Sequence, residues 1–252
     1  MGMRRTRPLG LLVVCGLAAA FMSTEAQARP PSLRDLLEGM RHKPQQIEQP
    51  DPPVAIYAPD SGGAFIFDRA ASPPLMRFES SNEIWVLHPE PGPRGDTIYK
   101  NDLGEPMLRA TRLGGLTLFT MDNPGGMAVA LQGEAPPIHP TAIMSPGALL
   151  QHLAQASART SRALQRLVVF DAPDVTPESA FLVADAAGVT AEAIADMDKK
   201  AREALKLNRV VFEPGRAAAA KYSDGVLQIT VTPAKGVAGR PSSRRIDVVM
   251  SR

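Results

Sequence analysis

The stretch that decides the fold is Arg94–Thr120, RGDTIYKNDLGEPMLRATRLGGLTLFT. "DTIYK" and "PMLRAT" are short runs of β-forming residues. Between them "NDLGE" carries Asn101, Asp102 and Gly104, residue types that close a hairpin. Pro106 opens the second run, a position that need not donate a ladder bond. Gly114 and Gly115 then bend the chain into "LTLF". Glycines that cradle phosphate open a helix, whereas these lead into a strand, so the phosphate-loop reading fails. The stretch is antiparallel sheet.

Working outward, the same pattern extends over 54–133. "VAIYA", "AFIFDR", "LMRFE", "EIWVLH" and "MAVALQ" join the three runs above, each bounded by Pro, Gly, Asn, Asp or Ser. About eight short strands with tight turns predict a small barrel or sandwich. "EIWVLH" is apolar on both faces and reads as a central strand. A Pro-rich break at 134–146 follows. Ser145 and Pro146 start a helix whose apolar stripe is Leu149, Leu150, Leu153, Ala156, Leu164 and Leu167. "LVVFDAP" reads as a buried strand. Thr176–Pro177–Glu178 starts a second helix ending near Gly188, and Thr190 starts a third, with Ile194, Met197, Ala201, Ala204 and Leu205 inward. The tail returns to β: "RVVFEP", then a hairpin around Asp224–Gly225 with Leu227, Ile229 and Val231 inward, then "RRIDVVM". The expected fold is α+β, with an antiparallel β-rich N-terminal half, three helices and a C-terminal β-hairpin. Residues 54–252 are expected as a single α+β domain, with a possible sub-boundary at 134–146.

Residues 1–28 have the three parts of a signal peptide: Arg4, Arg5 and Arg7, an apolar run from Leu9 to Met22, and the small pair Ala26 and Ala28. The run is shorter than the roughly 20 residues a membrane-spanning helix needs, which argues against a stable span. A retained anchor and a lipoprotein modified at Cys15 are the alternatives, and Val14 disfavours the second. Cleavage near Ala28 removes the only cysteine and leaves roughly 220 residues, enough for an apolar core. It also takes three arginines against one Glu25, so the formal net charge of +2 falls to zero. Nucleic acid is therefore not an expected partner. Residues 29–53 hold a short amphipathic helix, with Leu33, Leu36, Leu37 and Met40 on one face, and then a Pro-rich linker. This helix folds back on its own domain or serves as a docking element for another protein.

The chemical motifs are sparse. Asp60-Ser61-Gly62 has the aspartic-protease tripeptide, but no second copy exists to supply the paired carboxylate. A hairpin turn is the simpler reading, and Asp60 stays only as a weak catalytic candidate. His42, His88, His139 and His152 lack metal-ligand spacing, so no metal is expected, and no cofactor motif is present. There is no Gly-x-Ser-x-Gly elbow. Arg240, Arg244 and Arg245 in "GRPSSRRI" could clamp a carboxylate or phosphate, or line a solvated loop between two strands. Trp85 between Ile84 and Val86 reads as buried rather than as a sugar-binding face.

"DSGGAFIFDR", "GDTIYKNDLGEPMLRATRLGGLTLFT" and "GRPSSRRI" together resemble an exported alphaproteobacterial family of unknown function, domain of unknown function 4908. The resemblance implies bacterial export and one family unit from about Asp60 to the C-terminus; it supplies no activity, cofactor or site residue. The expectation is a periplasmic or secreted protein, a non-enzymatic binding or structural component that meets a periplasmic protein or cell-envelope material. The alternative is a cell-envelope hydrolase whose site is assembled from distant residues including Asp60.

Overall fold

Leu87 sits between the two ends of one sheet. In the computed structural model, which describes residues 51–138 and 144–251, nine strands form this sheet. They are β1 Val54–Pro59, β2 Phe65–Asp68, β3 Leu75–Phe78, β4 Trp85–Val86, β5 His88–Pro91, β6 Thr97–Lys100, β7 Pro106–Ala110, β8 Leu116–Leu118 and β9 Met127–Glu134. The order is β4-β3-β2-β1-β9-β8-β7-β6-β5, so β4 and β5 are the two edges. One intervening residue spans at most about 7.6 Å between flanking Cα atoms, and that forces the edges together. The sheet is therefore curled into an antiparallel, barrel-like form. "EIWVLH" is not a central strand: it is split at Leu87 into the two edge strands of the seam. Its apolar character on both faces has another cause. Leu87 is fully buried in the barrel core and Trp85 packs against that core, while Ile84 and Val86, on the other face, pack against Val54, Ile66, Leu75 and Ile138; residues 84–86 also border a cleft against the C-terminal half.

The barrel interior is filled by Tyr57, Phe65, Phe67, Met76, Leu87, Leu108 and Leu118, all fully or almost fully buried. All four residues of β2 are buried. Phe65 and Phe67 face this interior, and Ile66 joins Val54, Leu75 and Ile138 in a second cluster. Asp68 is buried because its carboxylate has backbone partners: Oδ1 accepts from the amides of Ala70 and Ala71, and Oδ2 from Ile138 N at 3.0 Å. The β6–β7 hairpin forms as the sequence predicts. Asn101 Oδ1 accepts from the amides of Leu103 and Glu105, each at 2.9 Å, and Gly104 takes the left-handed conformation, φ +81°.

The C-terminal half is built on a second sheet of four strands, order β10-β11-β13-β12: β10 Val169–Asp171, β11 Arg209–Pro214, β12 Ala219–Ser223 and β13 Val226–Val231. The β12–β13 hairpin turns on Asp224 and Gly225, both at positive φ. Leu227, Ile229 and Val231 are fully buried, as their alternation predicts. β11 pairs in parallel with both β10 and β13. The "LVVFDAP" run contributes an edge strand whose Val169 is exposed.

Four α-helices occur among the described residues: α1 Pro146–Leu164, α2 Pro177–Asp196, α3 Lys199–Ala204 and α4 Ser243–Met250. Three departures from expectation have local causes. Leu150 and Leu167 are exposed; Leu150 lies one step off the buried stripe, and Leu167 follows the left-handed cap at Gln165. α2 does not stop at Gly188. Thr190 Oγ1 donates to Ala186 O at 2.7 Å and so serves the helix interior instead of opening a new one. Twelve of the 20 residues of α2 are buried, and burial of this extent outweighs the roughly 1 kcal/mol that a glycine costs in a helix. Third, "RRIDVVM" is helix, not strand. Ser242 Oγ accepts from Arg245 N at 3.1 Å as the N-cap, and Ile246 and Met250, four apart, are its buried positions. The proposed leader and the Leu33/Leu36/Leu37/Met40 helix lie outside the described residues. Among the described residues no helix is long and apolar enough to cross a membrane.

Candidate functional site

The segment 239–245 leads from a short 3-10 segment, Pro233–Gly239, into α4. Its course is fixed by a close approach. Thr232 N donates to Gly239 O at 2.7 Å, and a Cβ on Gly239 would lie 2.0 Å from Thr232 O. Only glycine fits there, and the next residue, Arg240, is thereby delivered into the protein with its side chain 3% exposed. Arg240 Nε donates to Asp185 Oδ2 of α2 at 2.5 Å, Nη1 to Glu83 Oε1 at 3.3 Å and Nη2 to Ile84 O at 3.0 Å. The last bond occupies a main-chain carbonyl at the open edge of the barrel, next to β4. The opposite edge, β5, carries Pro89 and Pro91, which present no N–H to a further strand.

Two barrel carboxylates receive the start of α4. Glu83 accepts from Ser243 N at 2.9 Å and from Ser243 Oγ at 2.5 Å. Asp102, in the β6–β7 turn, accepts from Ser242 N at 3.3 Å, Ser242 Oγ at 2.6 Å and Arg245 Nε at 2.7 Å. The first amides of a helix have no partner within it, and carboxylates at that end meet both this need and the helix dipole. Arg244 completes the joint. Its guanidinium faces both carboxylate oxygens of Glu105 at 3.2 Å and donates to Asp247 at 3.0 Å. Asn101 Nδ2 supports Glu105 from the turn at 3.0 Å.

Burial pushes the Glu83 carboxyl above the usual carboxylate value; Arg240 and the Ser243 hydrogen bonds oppose this and do not overcome it. Burial also works against the Arg240 charge, but Asp185 and then Glu83 more than offset it, and the guanidinium is held above its ordinary value. The two directions disagree about how well this pair suits its charges. One cation between two acids explains it: Arg240 has two partners, while Glu83 shares its only guanidinium. The direction for Glu83 is therefore upward, with Arg240 charged throughout. For Glu105, burial raises the carboxyl and is outweighed by hydrogen bonds from Arg244 and Asn101, leaving it below the usual range.

The three arginines singled out in the sequence thus come together, on carboxylates of the same chain. Their partners Glu83, Asp102, Glu105 and Asp185 were not legible as site residues, because they lie 55 to 157 positions away. Asp60 is exposed in the β1–β2 turn. His88 and His152 are exposed. Among the described residues no group of three or more His, Cys, Asp or Glu could hold a metal ion. Beside the joint, between β4 and the C-terminal half, lies a cleft of about 270 Å³ bordered by Trp85, His88, Lys235 and Val237. A wider, open depression of about 820 Å³ lies between α3 and the β12–β13 turn.

The model of the family described as Domain of unknown function (DUF4908) matches residues 32–250. The chain belongs to this family. No curated protein and no solved structure shows significant similarity to it. The DUF4908 match takes in both sheets, all four described helices and every residue of the joint. Barrel, joint and C-terminal half are thus parts of one family unit.

Proposed function

We propose that this protein is an exported, non-enzymatic binding component of the bacterial cell envelope. It folds as one α+β unit over 54–252 and binds its ligand in the cleft beside the joint. The observation that carries this reading is the use of the polar residues. The arginines that could have held an outside anion are engaged by Glu83, Asp102, Glu105 and Asp185, and this joint keeps a partly exposed Trp85 at the rim of a concave, mostly apolar cleft. The basic start, apolar run and small-residue site of residues 1–28 support export.

Both halves are testable with the full chain. Expressed in a diderm bacterial host, it should be recovered by osmotic shock with a new N-terminus near Arg29; retention in the cytoplasm with Met1 intact would refute export. Trp85 is the only tryptophan and stands between the barrel core and the cleft, so its fluorescence reports on this part of the fold. Envelope extracts containing the ligand should shift its emission saturably. Asp60→Ala should leave this shift unchanged, and loss of an envelope-degrading activity in that variant would favour the hydrolase instead.

A further inference from the structure

The chemistry lining the cleft beside β4 specifies a class of ligand, given that the cleft is the binding site proposed above. Its polar groups fall into two sets. Asp102 accepts three hydrogen bonds, from Ser242 and Arg245. Arg240 donates to Asp185, Glu83 and the Ile84 and Pro241 carbonyls. Neither residue can offer much to a newcomer without breaking the joint. The other two, His88 and Lys235, are exposed and make no ion pair among the described residues. What the cleft presents to a ligand is therefore an apolar wall of Ile84, Val86 and Val237, bordered by Trp85, with the Lys235 ammonium and the His88 imidazole unpaired beside it.

An added β-strand is disfavoured as the occupant. β4 is only two residues long, and the Ile84 carbonyl that would begin a ladder is held by Arg240. A bilayer is disfavoured by shape, since the cleft is concave and lies between two parts of the fold. Its volume of about 270 Å³ equals that of about nine waters, below the usual range for drug-sized ligands. We infer that the cleft takes a short single-chain carboxylate in free solution, its hydrocarbon along Ile84, Val86 and Val237 and its carboxylate at Lys235 and His88.

The test titrates the purified full chain with octanoate, octanol and octyltrimethylammonium, following Trp85 emission. Octanoate should bind saturably and more tightly than the other two. Lys235→Gln should weaken octanoate about fivefold and leave octanol unchanged. Ala218 also borders the cleft, and Ala218→Phe, which puts an aromatic ring into it, should abolish all three responses while the melting temperature stays within a few degrees. Octanol matching octanoate, or Lys235→Gln having no effect, overturns the carboxylate assignment and leaves a binding cleft standing. No response to any of the three overturns the cleft itself and leaves export untouched. Cosedimentation with phosphatidylglycerol vesicles, lost in Lys235→Gln, would assign the anion to a membrane surface and overturn the free-solution source.

Discussion

Replacing Arg240 by Met keeps the volume and removes the one cation between Glu83 and Asp185. The side chains of Arg240 and Glu83 are each 3% exposed, and that of Asp185 17%. Water therefore cannot re-solvate the acids cheaply. Removing one member of a buried ion pair costs roughly 3–5 kcal/mol, because it strands a charge. Two acids are stranded here, but Glu83 is already pushed toward its neutral form by burial and can take up a proton, which holds the loss within that range. For a chain of this size each kcal/mol moves the melting temperature by about 2–4 °C, so the expected drop is about 6–20 °C at pH 7.5. Differential scanning calorimetry at pH 7.5 and pH 5 is the assay, and the drop should be smaller at pH 5. Arg240→Lys should recover less than half of it, since a point charge cannot serve Asp185, Glu83 and the Ile84 carbonyl together. A loss below about 1 kcal/mol, or one as large at pH 5 as at pH 7.5, would show that the joint is not held by this charge arrangement.

Glu83→Gln should behave differently. A carboxyl whose folded pKa lies above its unfolded value near 4.5 binds its proton more tightly in the native state. Its contribution is complete below that pH and is lost as pH rises through the folded value. The fixed-neutral Gln loses nothing over this window, so its stability relative to wild type should climb from pH 4.5 upward; urea midpoints measured from pH 4 to 8 would expose the opposite slope. Gly239→Ala places a methyl against the Thr232 carbonyl, a backbone atom that cannot swing aside. A loss of roughly 1–3 kcal/mol by urea denaturation is expected, and it should overlap with that of Arg240→Met because both dislodge the same side chain. Full additivity in the double variant would count against the shared cause.

What was legible in the sequence is what adjacent residues decide. The Asn101–Glu105 hairpin, the Ser145–Pro146 helix start and the alternation of Leu227, Ile229 and Val231 each depend on contacts within a few positions. The misreadings share the opposite property. "EIWVLH" is apolar on both faces like a central strand, yet it is an edge segment: Trp85 and Leu87 face the barrel core, and Ile84 and Val86 pack against Val54, Ile66, Leu75 and Ile138 beside the cleft. Gly188 and Thr190 form a sound break signal that matters only for an exposed helix. α2 is enclosed by α1, α4 and β13, so stopping there would forfeit packing on every side. The arginines of "GRPSSRRI" were visible as anion clamps, but nothing local could say that the anions were Glu83, Asp102, Glu105 and Asp185.

The C-terminal helix shows why this distance matters. α4 has eight residues, and isolated helices shorter than about 12 residues are marginal in water. Its own sequence supplies one cap, Ser242, and two buried apolar positions, Ile246 and Met250. The rest of its stability must come from elsewhere. Glu83 and Asp102 take its leading amides, and both belong to a barrel completed more than 100 residues earlier in the chain. The helix is therefore stabilised jointly by the C-terminal core, which buries Ile246 and Met250, and by the barrel's β6–β7 turn and seam, which meet its first amides. The run "RRIDVVM" looks like a strand when read alone because its helical state is specified by the partner surface. The same carboxylates that hold the arginines are that specification.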